Sequence, residues 1–142
     1  RQSVMMADLM HVTGDIERIG DHCLNLAELA VYKENEGVVF SQQAYQDIER
    51  VIVITTEMLT LSLNALERND FFAAKNVLEL EKEIDSVEKA SRMGHLERLS
   101  VGTCNPKSAV IFSELIKNLE RIADHCNNIA EAVLDQEPYY RR

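Results

Sequence analysis

Little in this chain can stop a helix. Its 142 residues include only 5 glycines and 2 prolines, and there is no tryptophan. With few breakers and many Leu, Ala, Glu and Lys, the composition points to helices. The three cysteines, Cys23, Cys104 and Cys126, form no Cys-x-x-Cys pair. No disulfide framework is expected, and a reducing compartment is. Long hydrophobic runs are missing as well. The longest, such as Val51 to Ile54, are far too short to span a bilayer, so direct membrane insertion is not expected. Positive charge is scarce: 15 Lys and Arg against 24 Asp and Glu leave a net charge of −9. Such a surface repels nucleic acid, and it repels free phosphate unless a cation stands between them. Excess carboxylate suits cations.

What is present reads as one soluble globular domain. The chain is 46% hydrophobic and 27% charged, and it is long enough to bury a core without staples. Gly37, after the polar run Lys33 to Glu36, reads as a helix stop. Ser41 reads as the next N-cap, with Phe40 packing on Tyr45 as a hydrophobic staple. Asn69-Asp70 is a second break, with Asp70 as the cap. Gly102 and Asn105-Pro106 mark a third, where Gly stops one helix, Asn caps the next and Pro takes its first turn. Between the breaks the apolar period is helical. Tyr45, Ile48, Ile52, Thr55, Leu59, Leu63 and Leu66 trace one stripe, and Val77, Leu80, Ile84, Val87 and Ser91 another. Leu115, Leu119, Ile122, Cys126 and Ile129 trace the core stripe of the last helix. Four helices are predicted, over 2–35, 42–68, 71–100 and 106–135. Short loops make successive helices antiparallel, so the expected fold is all-α, an antiparallel helix bundle.

The first and last helices repeat each other. Ile16 to Cys23 reads Ile-Glu-Arg-Ile-Gly-Asp-His-Cys, and Leu119 to Cys126 reads Leu-Glu-Arg-Ile-Ala-Asp-His-Cys. Asn25 then matches Asn128 and Glu28 matches Glu131, each pair 103 positions apart. A duplicated unit of that length contains helices two, three and four. The first helix is then the last helix of a preceding unit whose other two helices lie upstream. The chain opens at Arg1 without an initiator Met, and it is expected to be part of something larger. The apolar stripe Met5, Leu9, Val12, Ile16 and Ile19 needs cover, from helices two to four or from a second copy in a homodimer.

Residues four apart share a helix face. Glu17 and Asp21 form such a pair, as do Glu120 and Asp124, and Glu81 and Asp85; Asn25, Asn128 and Glu88 extend the three stripes. Paired carboxylates repel, and a multivalent cation between them reverses the sign. Hard cations such as Mg, Mn, Ca or Fe prefer oxygen ligands. Glu81, Asp85, Glu120 and Asp124 are expected to form one composite site between helices three and four. The partner stripe for Glu17 and Asp21 would lie on an absent helix. The bland alternative is a solvated face, with Arg121 pairing Asp124 and Lys117 pairing Glu120.

Histidine does not join these stripes. His22 and His125 each follow an Asp by one residue and project ~100° away from it. Di-metal bundles use Glu-x-x-His on one face, whereas this chain has Glu-x-x-x-Asp-His, so both histidines read as polar edge residues. His95 is ambiguous and His11 has no evident partner. Cys23 and Cys126 lie on apolar stripes and read as buried, inert thiols. Cys104, beside a cap, is the thiol expected to be exposed. No phosphate-cradling Gly-rich loop and no Ser-His-Asp order is found.

Glu-Arg-Ile-Gly-Asp-His, followed by Asn25 and Ala27-Glu28, is similar to the signature of the PhoU-like family. The likeness runs along nearly the whole chain. It divides the chain into 1–35 as the last helix of a truncated first repeat, 42–135 as a complete three-helix repeat, and 136–142 as a tail. More specifically, His95 to Asp135 resembles the tail domain of bacterial sodium/phosphate cotransporters, and after those the stand-alone PhoU regulators. The resemblance implies paired three-helix bundles at the cytoplasmic face of the cell membrane, with multinuclear metal clusters on the bundle surface. Its motif positions are Glu17, Asp21, Glu81, Asp85, Glu120 and Asp124, and the metal is one of Fe, Zn, Mn, Mg or Ca. It implies a non-enzymatic regulator that touches the membrane domain of a phosphate transporter and modulates uptake by metal-linked conformational coupling. The alternatives are a stand-alone phosphate-signalling regulator and a structural or oligomerisation bundle. A di-metal carboxylate enzyme would need Glu-x-x-His pairs that are absent.

Overall fold

A computed structural model describes residues 2–100, 102 and 105–141, with side chains described from Met6 onward. Its four helices are α1 (Gln2–Asn35), α2 (Gln42–Arg68), α3 (Phe71–Ser100) and α4 (Pro106–Tyr140). Among the described residues there is no strand. The all-α antiparallel bundle expected from the periodicity is the fold observed.

The helix ends have local causes. Gly37 takes the left-handed conformation, φ 61°, so that its N–H reaches Glu34 and the N–H of Val38 reaches Lys33. Those two bonds close the end of α1 as a Schellman motif. At the start of α2 the Ser41 hydroxyl accepts from the N–H of Ala44 at 3.1 Å, and the Phe40 and Tyr45 rings meet at 5.4 Å. Asp70 caps α3 by accepting from the N–H of Ala73, and Asn105 caps α4 by accepting from the N–H of Lys107. Pro106 fills the first position of α4, where a missing N–H costs nothing. Cys104, expected to be exposed, lies outside the described residues, as does the side chain of Met5.

One boundary and one stripe of the sequence reading change. Helix α4 continues through Pro138 to Tyr140 instead of ending near 135. Pro138 removes one backbone bond, but the start of α3 holds the extra turn. Phe71 meets the Tyr140 ring at 5.8 Å, Lys75 pairs with Glu137 at 3.3 Å, and Arg141 pairs with Glu137 as well. The buried stripe of α2 is also displaced. It runs Ala44, Ile48, Val51, Thr55, Met58, Ser62 and Ala65, while Tyr45, Ile52 and Leu63 are exposed. Small residues let the backbones approach, so Ala and Ser occupy the seam and the large aliphatics flank it.

Helices α2, α3 and α4 pack mutually as a three-helix bundle, and α1 lies antiparallel along the outside of α4. Helix α4 is therefore covered on two sides and contributes the most buried residues, among them Phe112, Ile116, Ile129 and Cys126. His95 is buried against Phe112, rings stacked at 4.6 Å, and burial followed by the neighbouring Arg98 lowers its pKa. Helix α1 buries Val12 and Ile19 on α4 but leaves Leu9 and Ile16 largely exposed. Cys126 is buried beside Ser62, and burial pushes its thiol up to about 11. Cys23, expected to be buried, is exposed because no helix covers that face of α1. Among the described residues no helix is long and apolar enough to cross a membrane.

Candidate functional site

On α3, Glu81, Asp85, Glu88 and Arg92 follow at steps of four, three and four, which aligns them on one face. Glu120 and Asp124 lie one turn apart on α4. The antiparallel packing of α3 on α4 brings the two rows together. Glu81 feels the charges of Asp124, Asp85 and Glu120. Arg92 forms an ion pair with Glu120. The four carboxylates expected to form a composite site between these helices therefore share one seam, joined by Glu88. Glu120 takes its positive partner from α3, not from Lys117 on its own helix.

The electrostatics show what crowding does. Burial, followed by the Asp124 and Asp85 charges, raises the Glu81 pKa to about 7. Burial raises that of Glu88 to about 8, with Glu120 adding to the rise and Arg92 opposing it. Glu88 is only 4% exposed. Its Oε1 and the Oε2 of Glu81 are buried with no hydrogen-bond partner. A carboxylate oxygen held out of water without a donor is costly, so each has a strong demand for a proton or a cation. The donor chemistry, all carboxylate oxygen, suits a hard cation. Among the described residues, no three His, Cys, Asp or Glu side chains converge closely enough to hold a metal ion as they stand.

Glu17 and Asp21 are placed differently. Both project from the solvent-exposed face of α1, away from the α3–α4 band. No ion pair among the described residues reaches them.

A second polar cluster, not read from the sequence, holds α1 on α4. His125 Nδ1 lies 2.8 Å from Asp15 Oδ1, and Asn128 donates to the same oxygen at 3.2 Å. Equivalently, His22 Nδ1 lies 3.1 Å from Asn118 Oδ1, and Asn25 donates to that oxygen at 3.2 Å. Residues 15 and 118, 22 and 125, and 25 and 128 are all 103 apart. The two halves of the seam are thus related by the internal repeat, about an approximate two-fold axis. At its centre the His22 and His125 rings stack with centroids 5.8 Å apart. The histidines predicted to sit at a polar edge occupy this helix–helix seam. The signal that could have located it was the Asp15/Asn118 pair immediately ahead of the first matched apolar pair, Ile16 and Leu119, too short to read alone.

Comparison with known proteins supplies the remaining observations. Residues 48–133 match the family model described as PhoU domain, a span that falls on α2, α3 and α4. The chain is 26% identical over 126 residues to "Phosphate-specific transport system accessory protein PhoU homolog 1" of Thermotoga maritima, covering 89% of this chain and 53% of that protein. It is 30% identical over 125 residues to the "Phosphate-specific transport system accessory protein PhoU homolog" of Xylella fastidiosa, covering 88% and 51%. The homolog of Deinococcus radiodurans is 25% identical over 133 residues, covering 91% and 59%. The chain therefore spans little more than half the length of these curated relatives. No solved structure matches it.

Proposed function

The chain belongs to the PhoU domain family, and from that premise we propose that it is a non-enzymatic accessory module of phosphate transport. The observation that carries this reading is the likeness, over 89% of the chain, to a relative named as an accessory protein of phosphate-specific transport. Of the two settings raised by the sequence, the named relatives favour a stand-alone PhoU-type regulator over the tail of a sodium/phosphate cotransporter. The module works in the cytoplasm at the inner face of the cell membrane, through contacts with a phosphate transporter's membrane domain.

Its control element is the carboxylate band. Glu81, Asp85, Glu120 and Asp124, with Glu88 behind them, would hold a divalent or trivalent cation, and the two orphaned oxygens support that assignment. Glu17 and Asp21 repeat the same acid pair on α1 and would hold a cation in an equivalent way. A bound cation would supply positive charge that draws the α3 and α4 carboxylates together. Such a ligand shifts conformation only as far as it binds one packing better than another. A seam of like charges would meet that condition, since repulsion favours its opening and a bound cation would favour its closure.

The test is deletion of the gene and complementation with the wild-type or Glu120→Ala/Asp124→Ala form, followed by phosphate uptake and the response to phosphate limitation. Deletion is expected to disturb both, wild type to restore them, and the double variant to fail. Unchanged uptake and unchanged response on deletion would remove the proposal. Calorimetry with Mn²⁺ on the two proteins tests the cation arm separately: stoichiometric binding is expected in wild type and none in the variant.

A further inference from the structure

Arg92 stands between the carboxylate band and a groove. It lies one turn beyond Glu88 on the same face of α3, and its guanidinium pairs with Glu120. The same residue lines a groove of about 550 Å³ between α3 and α4, together with Glu120 and Asp124 of the band, Phe112 and Ile116, and Lys117 and Arg121. Both members of the ion pair are partly open to water, with side chains 53% and 33% exposed. Such pairs are weak and exchange readily. Behind the pair, Glu88 keeps a buried oxygen with no hydrogen-bond partner. Arg92 therefore satisfies the outer rim of the band and leaves its interior unsatisfied.

We infer that Arg92 is the built-in counter-cation of the α3–α4 carboxylate band, occupying Glu120 until a divalent cation displaces it towards the groove. This rests on the proposed reading of the band as a cation site. A guanidinium spreads one charge over a plane of donors, and here its ion pair is with Glu120 alone. A hard divalent ion carries twice the charge and gathers oxygens from several side chains at once. While Glu120 is turned to Arg92, the oxygen that holds the guanidinium is withheld from the band. Once displaced, Arg92 is no longer neutralised by Glu120, so beside Lys117 and Arg121 it leaves the groove more positive when the band is filled. Cation in the band and anionic groups in the groove then favour each other, as linkage requires.

The experiment is calorimetric titration of Mn²⁺ into the full chain, wild type and Arg92→Gln, at low salt and neutral pH, with thermal melts as the folding control. Removing the competing cation is expected to tighten Mn²⁺ binding roughly threefold to tenfold. Arg92→Lys, which keeps the charge but loses the planar fork, is expected to fall between the two. Binding by wild type with equal or weaker binding by folded Arg92→Gln overturns the inference and leaves the cation site standing. Binding by neither protein overturns both. Should Arg92→Gln not fold, an Arg92→Lys protein that binds no more tightly than wild type overturns the inference.

Discussion

Glu81 and Glu88 are carboxyls that the fold prefers protonated. Their pKa values of about 7 and about 8 lie above the ordinary 4.5, chiefly through burial. Between the ordinary and raised values the folded chain binds more protons than the unfolded chain, so stability falls as pH rises through that window. The melting temperature is expected to drop between about pH 4.5 and about pH 8, apart from other titrations. Glu88→Gln should flatten that slope and stabilise the alkaline end by roughly 2 kcal/mol, measured by denaturant unfolding at both pH values. Mn²⁺ should recover part of the same loss in wild type. A Glu88→Gln protein with the wild-type pH profile would show that Glu88 is ionised at no cost. The spacing of Glu81, Asp85, Glu120 and Asp124 was legible in the sequence because i and i+4 share a face whatever the fold. The burial of Glu88 was not, because acids on helices are usually solvated. Arg92 was missed for a related reason: its partner lies 28 positions away on another helix.

At the scale of the helix, the ends were more legible than the faces. Ser41, Asp70 and Asn105 cap as expected, because a side-chain oxygen satisfying a free N–H two or three residues on is a local bond. Ser41→Ala is expected to cost about 1 kcal/mol in denaturant unfolding. The α2 stripe was misplaced because hydrophobicity was read by size. Met58 is fully buried, whereas Leu63 is 40% exposed. Met58→Ala should therefore cost about 2–5 kcal/mol, and Leu63→Ala no more than about 0.5 kcal/mol. The reverse order in chemical denaturation would restore the stripe drawn from the large aliphatics. The last turn of α4 lies beyond the predicted end at 135, and the contacts that hold it through Pro138 come from α3.

For the molecule as a whole, the repeat has a structural consequence. On one face, positions of α1 and α4 that are 103 apart have opposite environments. Leu9 is 56% exposed where Phe112 is 1%, and Ile16 is 43% exposed where Leu119 is 4%. The outer face of α1 thus corresponds to the face that α4 turns towards α2 and α3. An apolar stripe of that kind drives association. The chain as it stands is expected to form dimers with rising concentration in light scattering, and Leu9→Glu/Ile16→Glu to return it to monomer. A wild-type monomer across the concentration range would remove the homodimer. The α1–α4 seam contributes a different kind of contact, since His22, Asn25, Asn118, Asp15, His125 and Asn128 hold it by polar pairs.

By itself the sequence determined the four helices, their caps, the internal repeat, the three i, i+4 acid pairs and the family. Each of these depends on residues close in the chain or on a pattern copied along it, so backbone bonding and helical period suffice. Tertiary structure alone decided which α2 residues face inward, that the α3 and α4 acids meet, that Glu88 is buried and that Arg92 takes Glu120. It also decided that Glu17 and Asp21 stay on an open face. Those outcomes depend on which helix lies beside which, and packing between distant segments follows side-chain volume and backbone approach, which no local pattern records.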